Sequence, residues 1–210
     1  MSDPPGLSDE LVDFDGRSYH CKATSSPDGQ WKVAYGKAPS EERSRVFVAT
    51  DDELAYSSAV SRPQGASIAN NGTALVIGGG SFDKLDGEVR VFDATGSVII
   101  EEAFLTNVHA GVISPDGTWG AVLARPPEAG IHLINVETAE RSRVRGIDDE
   151  GIELRGFTRH GGTHLLYAQR EGRSEPYFAI DTDGELAWRS ESYRDTESLL
   201  KRIRGWVNSR

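Results

Sequence analysis

Short apolar runs recur along this chain, and each is entered from a polar turn. Trp31 to Tyr35, Ala74 to Ile77, Trp119 to Leu123 and His164 to Ala168 follow Ser26-Pro27-Asp28-Gly29, Ala69-Asn70-Asn71-Gly72, Ser114-Pro115-Asp116-Gly117 and Arg159-His160-Gly161-Gly162. The last glycines of these turns stand 43, 45 and 45 residues apart. Alternation within the runs is imperfect, which predicts strands buried on both faces. After a polar gap a second apolar run leads into an Asp or Asn at Asp51, Asp93, Asn135 and Asp181. An outer strand closes each unit at Glu53 to Tyr56, Ser97 to Ile100, Glu140 to Val144 and Glu185 to Trp188. With a strand leading into each turn, four strands recur four times.

The turns have the chemistry that such a repeat needs. Pro presets the second position of a type I turn, Asp accepts local backbone hydrogen bonds, and Gly takes the positive φ that returns the chain antiparallel. Asn71-Gly72 and Asp183-Gly184 suit tight hairpins. A repeat of about 45 residues built from short strands predicts an all-β fold, a β-propeller of four four-stranded blades. The expected organisation is a flexible tail over 1–10 and a propeller domain over 11–192, with blades near 18–60, 61–105, 106–147 and 148–192. A C-terminal helix over 193–210 completes it.

The Ser-Pro-Asp-Gly turn followed by an apolar strand resembles the WD-like repeat of bacterial and archaeal propellers. Val91-Phe92-Asp93-Ala94-Thr95-Gly96 is similar to the end of a WD-repeat strand, with Phe where Trp is usual. Ala179 to Trp188 resembles the repeat of quinoprotein-type propellers. The likeness spans roughly 18–190 and implies a fold shared by proteins with unrelated jobs.

Composition narrows the function classes. The formal charge of −10 disfavours general adhesion to nucleic acid or anionic lipid, because phosphates would meet mostly carboxylates. No long apolar run predicts a membrane span, and no basic-then-apolar N-terminus predicts a secretory signal, so a cytoplasmic protein is expected. Cys21 is the single cysteine, which excludes an intramolecular disulfide.

Charge and pattern change together at the C-terminus. Leu199, Leu200, Ile203, Trp206 and Val207 fall on one stripe at the helical period, flanked by Lys201, Arg202 and Arg204. Asp195 suits the helix N-terminus and the later basic residues its C-terminal end. Two uses of this helix are expected: it seals its own propeller, or it grips a partner through Leu199, Leu200, Arg202, Ile203 and Trp206. The partner is another protein or a second copy of the chain, held by the helix or by a propeller face.

On a propeller, the loops between second and third strands share one face with the links between blades. That channel mouth collects His20, Arg62, His109, Glu150 and Glu153. Imidazoles and carboxylates suit a divalent metal, but these positions do not share one register, and no cofactor is expected. His160 and His164 straddle a hairpin, and Gly78-Gly79-Gly80 lacks the Lys-Ser/Thr ending of a phosphate loop. Asp181 to Glu185 and Asp13 to Gly16 lack a full calcium ligand series.

The reading that results is a non-enzymatic propeller that scaffolds or recognises another macromolecule. Its alternative is a propeller enzyme or small-ligand sensor at the channel mouth, such as a metal-dependent hydrolase of the lactonase type. The two differ in whether His20, His109 and Glu150 or Glu153 converge on one pocket.

Overall fold

The computed structural model describes residues 8–39, 43–51, 53–79, 86–145 and 151–193. These residues form antiparallel strands in four sheets. The first sheet holds β1 (Ser8–Phe14), β2 (Arg17–Ser25), β3 (Trp31–Lys37), β4 (Ser44–Thr50) and β5 (Leu54–Val60) in that order. The second holds β6 (Pro63–Ile68), β7 (Ala74–Gly79), β8 (Gly87–Phe92) and β9 (Val98–Phe104). The third holds β10 (Val108–Ile113), β11 (Trp119–Ala124), β12 (Gly130–Asn135) and β13 (Glu140–Arg143). The fourth holds β14 (Ile152–His160), β15 (Thr163–Arg170), β16 (Pro176–Ile180) and β17 (Leu186–Arg189). No helix among the described residues is long and apolar enough to cross a membrane. The expected C-terminal helix, with Leu199, Leu200, Arg202, Ile203 and Trp206, lies outside the described residues.

Each sheet is strictly sequential, and each packs on the next. The first strands make these contacts: β6 lies against β2 and β3, β10 against β6 and β7, and β14 against β10 and β11. No comparable packing joins the fourth sheet to the first among the described residues. The cores are the three layers between sheets. Val33, Val46 and Val48 meet Ile68, Val76 and Phe92. Leu75, Ile77 and Val91 meet Ile113, Val122 and Ile134. Leu123, Ile131 and Leu133 meet Phe157, Leu166 and Phe178. Strands sandwiched in this way lose their polar face, which is why β7 is buried at every position.

The first sheet departs from the expected four strands. Ser8 to Glu10, expected in a flexible tail, belong to β1, which pairs with β2 from Ser8↔Ala23 to Phe14↔Arg17. Val12 and Phe14 pack on a small cluster of Tyr19, Cys21, Ala23, Ala34 and Phe47, the face of the first sheet turned away from the second. Phe14 meets Phe47 edge-on at 5.5 Å, and the Glu10 carboxylate meets Lys32 Nζ at 3.0 Å. Gly36 permits this tight fold: a Cβ there would lie 2.1 Å from the His20 carbonyl oxygen.

Candidate functional site

The repeated turns do more than reverse the chain. In the first and third, Ser26 Oγ and Ser114 Oγ donate to Oδ1 of Asp28 and Asp116 at 2.6 and 2.7 Å. Each serine oxygen also accepts from the backbone N–H of Trp31 or Trp119 at 3.0 Å. The turn is thereby closed onto the strand that follows it. Two of the turn glycines also seat a neighbouring sheet. A Cβ on Gly72 would lie 2.9 Å from the Trp31 ring, and one on Gly117 would lie 2.7 Å from Asn71 Oδ1.

Hydrogen bonds run from turn to turn along this face. Asp28 N–H donates to Asn70 Oδ1 at 3.1 Å, Asn70 N–H to the Pro115 carbonyl at 2.8 Å, and Asn71 Nδ2 to the Asp116 carbonyl at 3.0 Å. The last link joins two side chains: His164 Nε2, on β15 just after the fourth turn, lies 2.7 Å from Asp116 Oδ2. Burial pushes the Asp116 carboxyl up, but hydrogen bonds from Ser114, Thr118 and His164 outweigh it and hold the carboxyl down at about 2. A cavity of about 410 Å³ opens here between Asn70, Asn71, Pro115, Asp116, Arg159 and His164. This junction was missed in the sequence, where His164 read as a plain strand residue. A signal existed: His164 stands two positions after its turn glycine, as Trp31 and Trp119 do.

The opposite face carries the described residues expected at a channel mouth, one for each sheet or the link before it. His20 is exposed on β2, paired with Leu11 of β1 and Lys37 of β3, so it does not border the axis as the first strand of its sheet. Arg62 links β5 to β6 at a φ of 42°. His109 is exposed on β10, and Glu153 on β14 accepts from Gln169 Nε2 at 2.6 Å. Glu150 lies outside the described residues. Among the described residues, no three His, Cys, Asp or Glu side chains gather closely enough to hold a metal.

What unites this face is a repeated irregularity. The pairing of the first two strands skips Gln64 in the second sheet, His109 in the third and Arg155 in the fourth. Each skip is a β-bulge, a device that re-aims the side chain it expels. Three polar residues of different character thus occupy one structural position. The first sheet has no bulge there and carries the additional strand β1 instead.

A third surface lies at the end of the series. In the fourth sheet Gly156, Tyr167, Ala179 and Trp188 face one another across all four strands, on the side away from the third sheet. Trp188 is 44% exposed, Leu165 and Tyr167 are half-buried, and nothing lies within 4 Å of where a Gly156 Cβ would stand.

No protein-family model matches the chain, and no curated protein matches it in sequence. Solved structures do match. The propeller domain of the trilobed protease from Pyrococcus furiosus, described as having an open Velcro topology, superposes with a TM-score of 0.50 at 14% identity, over 88% of this chain and 71% of that one. The chain has a β-propeller fold. Hydrazine synthase of Kuenenia stuttgartiensis superposes on it with a TM-score of 0.52 at 18% identity, over 77% of this chain and 52% of that one. A puromycin hydrolase, as its S511A mutant in complex with PGG, gives 0.50 at 16% identity, over 89% of this chain and 31% of that one. The chain therefore spans about half of the first and under a third of the second. At such identities the likeness is one of blades, and it carries no activity.

Proposed function

We propose that this propeller is a non-enzymatic recognition or assembly module, and that its binding surface is the outer face of the fourth blade. One observation supports the reading most. The corresponding faces of the first three blades are each covered by the next blade, with Val33, Leu75 and Leu133 fully buried. On the fourth blade the same side carries Leu165, Tyr167 and a Trp188 that is 44% exposed. Aromatic side chains set in an apolar face are the usual anchors of protein interfaces. The acidic charge and the mixed polar mouth of Gln64, His109 and Arg155 fit a protein partner better than a phosphate backbone.

A photo-activated cross-linking residue placed at position 188 in living cells tests this reading, with position 98 as control because Val98 is equally exposed on an outer strand of the second blade. Covalent adducts to protein at 188 and not at 98 are expected. If position 188 gives no adduct, the face binds nothing. Lactone turnover that needs an added divalent metal and disappears in Glu153→Gln would favour the catalytic alternative instead.

A further inference from the structure

We infer that the outer face of the fourth blade docks on the same face of a second copy of this chain, about a two-fold axis. The inference rests on the reading of that face as a protein-binding surface and names its occupant. The argument begins with the three interfaces already in the molecule. Forward faces of the first, second and third blades are all covered by a blade, so the shape that fits the fourth is another blade. Among the described residues, a second copy offers two terminal blade faces. The outer face of its first blade is already buried: Tyr19, Cys21, Ala34 and Phe47 are at most 4% exposed, with Val12 and Phe14 of β1 packed against them. The fourth-blade face is the one left, and a surface that pairs with itself closes at two and stops.

The row across the face is built for self-pairing. Its outer end carries the large, 44% exposed Trp188, its centre the fully buried Ala179 beside the half-buried Tyr167, and its inner end a hollow over Gly156. A two-fold axis parallel to the strands reverses the row, which sets Trp188 of each copy over Gly156 of the other. Knob and hollow are then used twice. Four strands about 4.8 Å apart, with about five residues each, make a patch roughly 19 Å by 17 Å. Two such patches bury on the order of 1,000 Å², at the low end for a specific interface, so association in the micromolar range is expected.

Light scattering on the full chain, loaded from roughly 5 to 500 µM to span that range, is the test. The expected result is a mass rising from 22.8 kDa to a plateau at twice that value. Trp188→Glu and Leu165→Glu should hold the chain at the monomer mass at every loading with an unchanged far-UV circular dichroism spectrum, and Leu11→Glu on β1 should leave the dimer intact. A monomer at all loadings overturns the inference; if position 188 still cross-links to a different protein, the recognition reading survives without it. A mass that climbs past two, or a dimer that Trp188→Glu leaves intact, overturns it as well, because the contact then lies elsewhere or does not close.

Discussion

His164 of the fourth blade reaches across to Asp116 of the third, with Nε2 2.7 Å from Oδ2, and closes a series of contacts that runs through the first three repeated turns to the start of β15. Asp116 spends its other oxygen within its own turn, on Ser114 Oγ and Thr118. The pair therefore acts between blades. A hydrogen bond to a charged group contributes about 1.5–3 kcal/mol. The Asp116 side chain is 38% exposed, so solvent screening reduces this to about 1 kcal/mol. A double-mutant cycle of His164→Gln and Asp116→Asn in urea denaturation should return a coupling of that size. Additive losses would show that the two blades are not joined here.

The same carboxylate predicts an acid limb. Its folded value of about 2 lies below the ordinary 3.8, so the unfolded chain takes up the proton first. The stabilisation is complete above about pH 4 and is lost as pH falls from there to about 2. Asp116→Asn should be less stable at pH 7 and lose less stability over that window. Parallel stability curves for the two proteins would remove Asp116 from the account.

Gly72 and Gly29 separate turn conformation from blade packing. Both take positive φ, at 81° and 77°, but only Gly72 lies beneath a neighbouring ring, that of Trp31. Alanine at either position pays the left-handed penalty of roughly 1 kcal/mol. Gly72→Ala must also displace Trp31, so it should cost about 1–3 kcal/mol more than Gly29→Ala. Equal losses on thermal melting would mean that the ring yields freely.

These glycines explain why the blades were legible in the sequence. A turn that needs Pro, Asp and Gly at fixed offsets advertises itself, and the apolar strands behind Gly29, Gly72, Gly117 and Gly162 inherit its spacing. The bulges at Gln64, His109 and Arg155 were hidden because one skipped residue changes no residue type. Strand β1 was hidden as well. Only Val12 and Phe14 mark its covered face, and what they cover becomes apolar only when Tyr19, Ala34 and Phe47 come together. His109 and Glu153 were found as polar residues on first strands, but their places in different blades follow from tertiary geometry and not from spacing.

Cys21 should be inert in the folded chain. It is 3% exposed under β1, and burial, with the nearby Glu10 carboxylate, raises its thiol to about 11. At pH 8 almost no thiolate forms, so a disulfide reagent should react only after unfolding. Fast labelling of the native protein would show that β1 opens readily.

His132 predicts a second pH dependence, well separated from that of Asp116. The ring is 3% exposed, packs edge-on to Phe104 at 5.2 Å, and donates from Nε2 to the Glu128 carbonyl at 2.8 Å. Burial lowers its pKa below the ordinary 6.5; the Glu128 carbonyl opposes that shift, and the positive charge of Arg141, whose guanidinium lies 4.5 Å from the Phe104 ring, adds to it. Below pH 6.5 the unfolded chain therefore binds a proton that the folded chain resists. Stability should be constant above about pH 6.5 with respect to this group and should fall as pH drops from there towards 5. His132→Gln keeps a donor for Glu128 and cannot titrate. Chemical denaturation across pH 5–8 should show a slope in the parent that is absent in this variant, and an equal slope in both would place the titrating group elsewhere.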